Sequence, residues 1–137
     1  MLADAVSGAP IISGIFITHA HRGHYTGLLE LGLETMDTNG VPVYVMARMR
    51  KFLEKNEPFA TIARSGNIEL RELDESVPVS IENALSVTPF AVSHRNELSE
   101  TVGFLLSSDD KELIYLPDID SWEGFESDIK SMISSSS

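Results

Sequence analysis

Apolar and polar positions change rhythm along this chain, and the changes mark out its elements. Residues 14–18 (GIFIT) form a short β-branched run, the pattern of a buried strand, and lead directly into His19-Ala20-His21. Over residues 25–36, Leu28, Leu29, Leu31 and Leu33 recur at spacings that suit a helix, closed by the turn chemistry of Asp37-Thr38-Asn39-Gly40. Val41–Met46 reads as a second strand and residues 47–56 as a helix. That helix ends ahead of Pro58, because proline disfavours the helical conformation in its predecessor. Phe59–Arg64 adds a helical turn that Ser65-Gly66-Asn67 breaks. In Ile68–Leu73, Ile68, Leu70 and Leu73 are set among charges, as in a strand with one exposed face. The first half is therefore a β-α-β alternation.

The second half predicts strands at short spacing: residues 85–92, 101–106 and 112–116. Ser107-Ser108-Asp109-Asp110 is turn-like, which makes the last two an antiparallel hairpin. A helix follows, with Ser121 as N-cap, Glu123 in its first turn and a stripe of Trp122, Phe125, Ile129 and Ile133 at helical spacing. No internal repeat is visible. At 137 residues with 42% hydrophobic content, the chain is expected to form a single domain over residues 1–133, with residues 134–137 as a disordered serine tail.

Composition narrows the function. Without cysteine, disulfides and thiolate ligands are excluded, so any metal must be held by imidazole and carboxylate. Twenty-one acidic against ten basic residues give a net charge of −11, which opposes binding to nucleic acid or anionic membranes; Arg48, Arg50 and Lys51 form a local basic patch. No apolar run is long enough to span a bilayer, and residues 1–9 lack the basic flank of a signal peptide. The expectation is a cytoplasmic protein that meets a small-molecule substrate.

The chemistry concentrates in the histidines. Three of the four fall within six residues, at His19, His21 and His24. Alternation along a strand would send His19 and His21 to one side, where both imidazoles can reach a common point. His94 follows the strand over residues 85–92, and Asp118 follows the one over residues 112–116. Four candidate ligands thus leave strand ends, where loops over a sheet assemble sites. Asp118 and Asp120 compete for the carboxylate position, with Asp120 also suited to capping the following helix. A donor set of imidazole and carboxylate suits zinc first, then manganese or iron.

The run Thr18-His19-Ala20-His21-Arg22-Gly23-His24-Tyr25-Thr26-Gly27 resembles the metallo-β-lactamase superfamily signature His-x-His-x-Asp-His. The stretches Gly40-Val41-Pro42-Val43-Tyr44, Val92 to Thr101 and Tyr115-Leu116-Pro117-Asp118-Ile119-Asp120 look like the branch around pyrroloquinoline quinone biosynthesis protein B. Together these cover roughly residues 11–130. The resemblance implies a mixed α/β fold, an αββα sandwich truncated at both ends. His19, His21 and His94 would occupy the three-histidine metal position, Asp118 would match the bridging aspartate, and His24 a ligand of the second metal.

Gly23 departs from the pattern, standing where the family has an aspartate that holds the second metal and orients water. Nor does any histidine follow His94 to serve that second site. One divalent metal is expected, zinc first, with a second weak or absent. The implied activity is hydrolysis of an ester, phosphodiester or lactone-type substrate, with Asp118 as base and His24 in its neutral form as the other candidate. Tyr25, Arg22 and Arg95 lie near ligands and could contact an anionic substrate, or could be a packing residue and two solvated charges. The alternative functions are an idle metal-binding remnant or a cofactor-biosynthesis accessory protein. In either case an open sheet edge would be covered by homodimerisation.

Overall fold

Glycine and proline punctuation, with apolar runs between, resolves into two sets of strands in the computed structural model of the protein. It describes residues 12–82 and 84–134; the expectations for residues 1–9 and for residues 135–137 of the serine run lie outside these. The chain divides into two compact units. The first comprises residues 1–73 with Leu98–Glu100, the second residues 74–97 and 101–137.

The first unit holds a three-stranded parallel sheet of β1 (Ile15–Phe16), β2 (Val41–Met46) and β3 (Ile68–Leu73), in that order. Parallel strands need long crossovers. Between β2 and β3 the crossover consists of helices α1 (Ala47–Lys55) and α2 (Phe59–Arg64). One core gathers Ile17, Val43 and Val45 from the sheet side, Met49 and Leu53 from α1, Phe59 and Ile62 from α2, and Leu28 and Leu31 from the segment before β2.

That segment is not the expected α-helix. Residues Arg22–His24 and Thr26–Leu31 form 3-10 turns, and the chain then runs in turns to Met36. Gly23, Gly27 and Gly32 weaken α-helix here. Of the segment's leucines, only Leu28 and Leu31 are buried. Their three-residue spacing is the one a 3-10 helix stacks, whereas Leu29 and Leu33 face solvent.

The second unit holds an antiparallel sheet in the order β4 (Val79–Ile81), β5 (Leu85–Ala91), β6 (Val102–Ser107) and β7 (Glu112–Tyr115). The expected hairpin is β6–β7. Strand β4 was not anticipated. It is only three residues long and pairs with β5 no further than Val79↔Val87, so Pro89 lies beyond its reach and needs no donor there. Phe90 crosses over Gly103 in the β5–β6 register on one face of the sheet, while Val87, Val102 and Phe104 are buried on the other. The closing helix α3 (Phe125–Ser134) starts later than expected. Trp122 precedes it, half-exposed, while Phe125 stacks toward Phe90 with ring centroids 5.8 Å apart.

Candidate metal centre

In the first unit, β1 delivers the chain to the clustered histidines. The Ile17 amide still bonds the Tyr44 carbonyl at 3.1 Å, extending the pairing one residue past β1, and the backbone then turns. His19 is 1% exposed, and its Nδ1 is hydrogen-bonded to the Thr18 hydroxyl at 3.0 Å. His21 stands at the head of the first 3-10 turn in an extended conformation, its carbonyl accepting the His24 amide at 2.8 Å. That turn folds His24 back toward His19. The His19 ring centroid lies 4.5 Å from that of His21, edge-on, and 4.3 Å from that of His24. The three clustered histidines therefore converge, although a bend and a 3-10 turn place them rather than strand alternation.

In the second unit, the loop after β5 carries His94 and the segment after β7 carries Asp118 and Asp120. The Asp120 amide bonds the Ser93 carbonyl at 2.9 Å, which brings the two segments together. The two nitrogens of His94 are then divided between two carboxylates. Nδ1 bonds Asp120 Oδ1 at 2.7 Å, while Nε2 lies 3.8 Å from Asp118 Oδ2. The second distance is too long for a hydrogen bond. It is a few tenths of an ångström wider than the roughly 3.3 Å that separates two ligands about 2.0–2.1 Å from a tetrahedral ion. An imidazole whose far nitrogen is held by a carboxylate is the arrangement that orients metal-ligating histidines.

Within this unit the two aspartates take different places: Asp118 faces Nε2 and Asp120 holds Nδ1. The capping role expected of Asp120 is replaced by this bond. Ser121 accepts the Glu123 amide at 3.1 Å in the turn before α3. Sequence reasoning missed the His94–Asp120 pair. Its one available signal was the Asp-x-Asp spacing, in which a ligand and its neighbour two residues on can both approach one imidazole.

The other candidates fall into plain roles. Tyr25 packs against Phe52 and Phe59, each ring centroid 5.2 Å away, and is a core residue of the first unit. Arg22 and Arg95 are exposed, and their carbonyls accept the hydroxyls of Thr26 and Thr101. In the basic stretch of α1, Arg50 is paired with Glu54 at 3.0 Å. Gly23 has open space where a Cβ would project.

The donors present, imidazole and carboxylate without sulfur, fit a divalent cation. No helix among the described residues is long and apolar enough to cross a membrane.

Comparison with known proteins bears on the family and the fold. The family model described as beta-lactamase superfamily domain matches residues 2–134. Among solved structures, zinc-bound PqqB from Methylobacterium extorquens is similar over 79% of this chain and 39% of its own, at 21% identity and a TM-score of 0.66. Igni18, a metallo hydrolase from Ignicoccus hospitalis, is similar over 87% and 47%, at 16% identity and a TM-score of 0.55. Yeast PDE1 is similar over 75% and 33%, at 19% identity and a TM-score of 0.60. This chain therefore spans less than half the length of each of these structures. No curated protein matches the sequence. The match along nearly the whole chain places the protein in the beta-lactamase superfamily, and the solved structures share its metallo-β-lactamase fold.

Proposed function

We propose that the protein is a metal-dependent hydrolase in which His19, His21, His94 and Asp118 hold one divalent cation, zinc in the first instance. The division of His94 between Asp120 at 2.7 Å and Asp118 at 3.8 Å carries this reading. A neutral His needs no second carboxylate beside Nε2, whereas a ligand pair does. In the first unit, the Thr18 hydroxyl engages Nδ1 of buried His19, which leaves Nε2 as its coordinating atom. Three imidazoles and a carboxylate are an ordinary zinc donor set.

Bound there, a divalent cation supplies Lewis-acid polarisation of a substrate oxygen and lowers the pKa of water. The protein's own groups do the rest. Asp120 fixes the tautomer of His94 by keeping its proton on Nδ1. Asp118 presents a second oxygen that can accept a proton from the attacking water, and His24, packed beside His19, is the alternative acceptor. Among the described residues, His24 and Asp118 are the candidates for a second cation, and Gly23 supplies no carboxylate there. One ion per chain is therefore the proposed stoichiometry.

The substrate class is an ester, phosphodiester or lactone. Metal content measured after purification and reloading should be about one zinc, manganese or iron ion per chain, and should be lost in the His19→Ala/His94→Ala double variant. Protein that stays metal-free in the presence of all three ions would overturn the reading. Hydrolysis is then assayed on phosphodiester, thioester, lactone and β-lactam substrates with each metal, comparing wild type with Asp118→Ala. Metal uptake with uniform inactivity would favour the second reading, an idle metal-binding or cofactor-biosynthesis accessory protein, which the missing carboxylate at Gly23 motivates.

A further inference from the structure

The chain interrupts its second unit to lend three residues, Leu98–Glu100, to the first. Two of the three bond directly to working parts of that unit. Ser99 is 2% exposed, and its Oγ accepts the amide of Ala20 at 2.8 Å. Ala20 is itself buried and lies between the two histidines of the His-x-His turn. Glu100 places both carboxylate oxygens on the Arg48 amide, at 3.0 and 3.1 Å, in the first turn of α1. There a carboxylate satisfies an amide without an intrahelical partner and complements the helix dipole.

A buried serine in a hydrolase invites the idea of a nucleophile, but this hydroxyl is committed. It accepts from Ala20 and donates to the Glu100 carbonyl at 2.8 Å. What it controls is the backbone between two ligands. The peptide plane that carries the Ala20 amide sets the relative direction of the Cα–Cβ bonds of His19 and His21, and a bend occupies this point where a strand would otherwise fix it.

We infer that Ser99 is a positioning residue for the metal site: by holding the Ala20 amide it fixes the angle between the His19 and His21 imidazoles. Glu100 serves as a separate structural anchor for the same short segment. The inference rests on the metal-binding reading above. It adds a residue five positions beyond His94, so one loop contributes a ligand and also orients the two ligands of the His-x-His turn.

The test compares three variants of the full chain, Ser99→Ala, Ser99→Thr and Glu100→Ala. Zinc dissociation constants are measured by competition with a chromophoric chelator, visible spectra are taken on the cobalt(II)-loaded proteins, and melting temperatures are taken on the metal-free proteins. Ser99→Ala should weaken zinc binding by about 10- to 100-fold, the usual consequence of losing an outer hydrogen bond that orients a ligand, and should alter the cobalt ligand-field bands. Ser99→Thr, which keeps the acceptor oxygen, should restore both toward wild type. Glu100→Ala should lower the melting temperature and leave the zinc constant and cobalt spectrum near wild type.

Amide hydrogen exchange at Ala20 gives a readout independent of metal, and should accelerate in Ser99→Ala alone. Wild type that binds zinc while Ser99→Ala binds it equally well, or while Glu100→Ala weakens it as much, overturns the inference and leaves the metal site standing. Wild type that takes up no metal overturns the metal reading, and the inference with it.

Discussion

His94 shows how much one imidazole depends on what sits behind it. With Nδ1 held by Asp120 at 2.7 Å, its ring cannot rotate away from Asp118 without breaking a charge-assisted bond. Asp120→Asn should therefore weaken zinc binding by about 10- to 100-fold while Asp118→Ala abolishes it, a contrast read by chelator competition. Equal losses in the two variants would mean that Asp120 is itself a ligand. Gly23 makes the complementary case. No atom stands within 4 Å of where its Cβ would be, so Gly23→Asp should fold and restore the family's carboxylate. It should raise metal content toward two per chain, checked by elemental analysis, and unchanged stoichiometry would show that His24 and Asp118 do not form a second site. The candidate ligands were legible because His19, His21 and His24 crowd a six-residue window, and a window is what a sequence displays. Asp120 was not, because its partner is 26 residues away and the same residue is equally at home as a helix cap.

At the scale of elements, local rules succeeded where one interaction dominated. Strands β2 and β3 and helices α1 and α2 follow from apolar runs bounded by Gly40, Pro58 and Gly66, and their limits match the pattern within a residue or so. The rules failed where packing chose between close alternatives, as in the 3-10 segment that buries Leu28 and Leu31, and in β4, three residues that exist only because β5 lies alongside. Two predictions belong here. The Glu57 carboxylate accepts hydrogen bonds from the Thr61 hydroxyl and amide and from Arg64, which hold its pKa well below the usual carboxylate range, at about 2. A depressed folded-state pKa means that its support for α2 is complete above the unfolded value of 4.5, and is lost as pH falls through about 2. NMR titration of the Glu57 side-chain carboxyl should place its midpoint near 2, and a midpoint above 4 would show that the cluster does not form in solution. In the second unit, Gly103 lies under the Phe90 ring, so a Cβ there collides with the ring edge of a buried residue. Gly103→Ala should destabilise by about 1–3 kcal/mol through overpacking, measured by urea unfolding, whereas Gly23→Ala should not.

For the whole molecule, the two units carry different kinds of sheet, parallel with crossover helices in one and an antiparallel meander in the other. Each sheet ends in edge strands among the described residues. Strand β7 is the clearest liability. It closes its sheet on one side, and its alternate residues Leu113 and Tyr115 are 63% and 52% exposed. Such an edge is a template for pairing. Self-association through a second copy is the proposal that follows, and the chain's charge gives it a distinctive signature. At −11, two copies repel at long range, so the dimer should strengthen as salt shortens the Debye length from about 30 Å at 0.01 M to about 8 Å at 0.15 M. An association driven by ion pairs would weaken over the same range. Sedimentation at micromolar concentration should therefore show dimer rising with salt in wild type and not in Leu113→Lys, which puts a charge on the edge while leaving the partly buried face of β7, Glu112 and Ile114, intact. A species that stays monomeric at every ionic strength would remove the dimer from the account, and one that dissociates with salt would place the contact on charged surface away from β7.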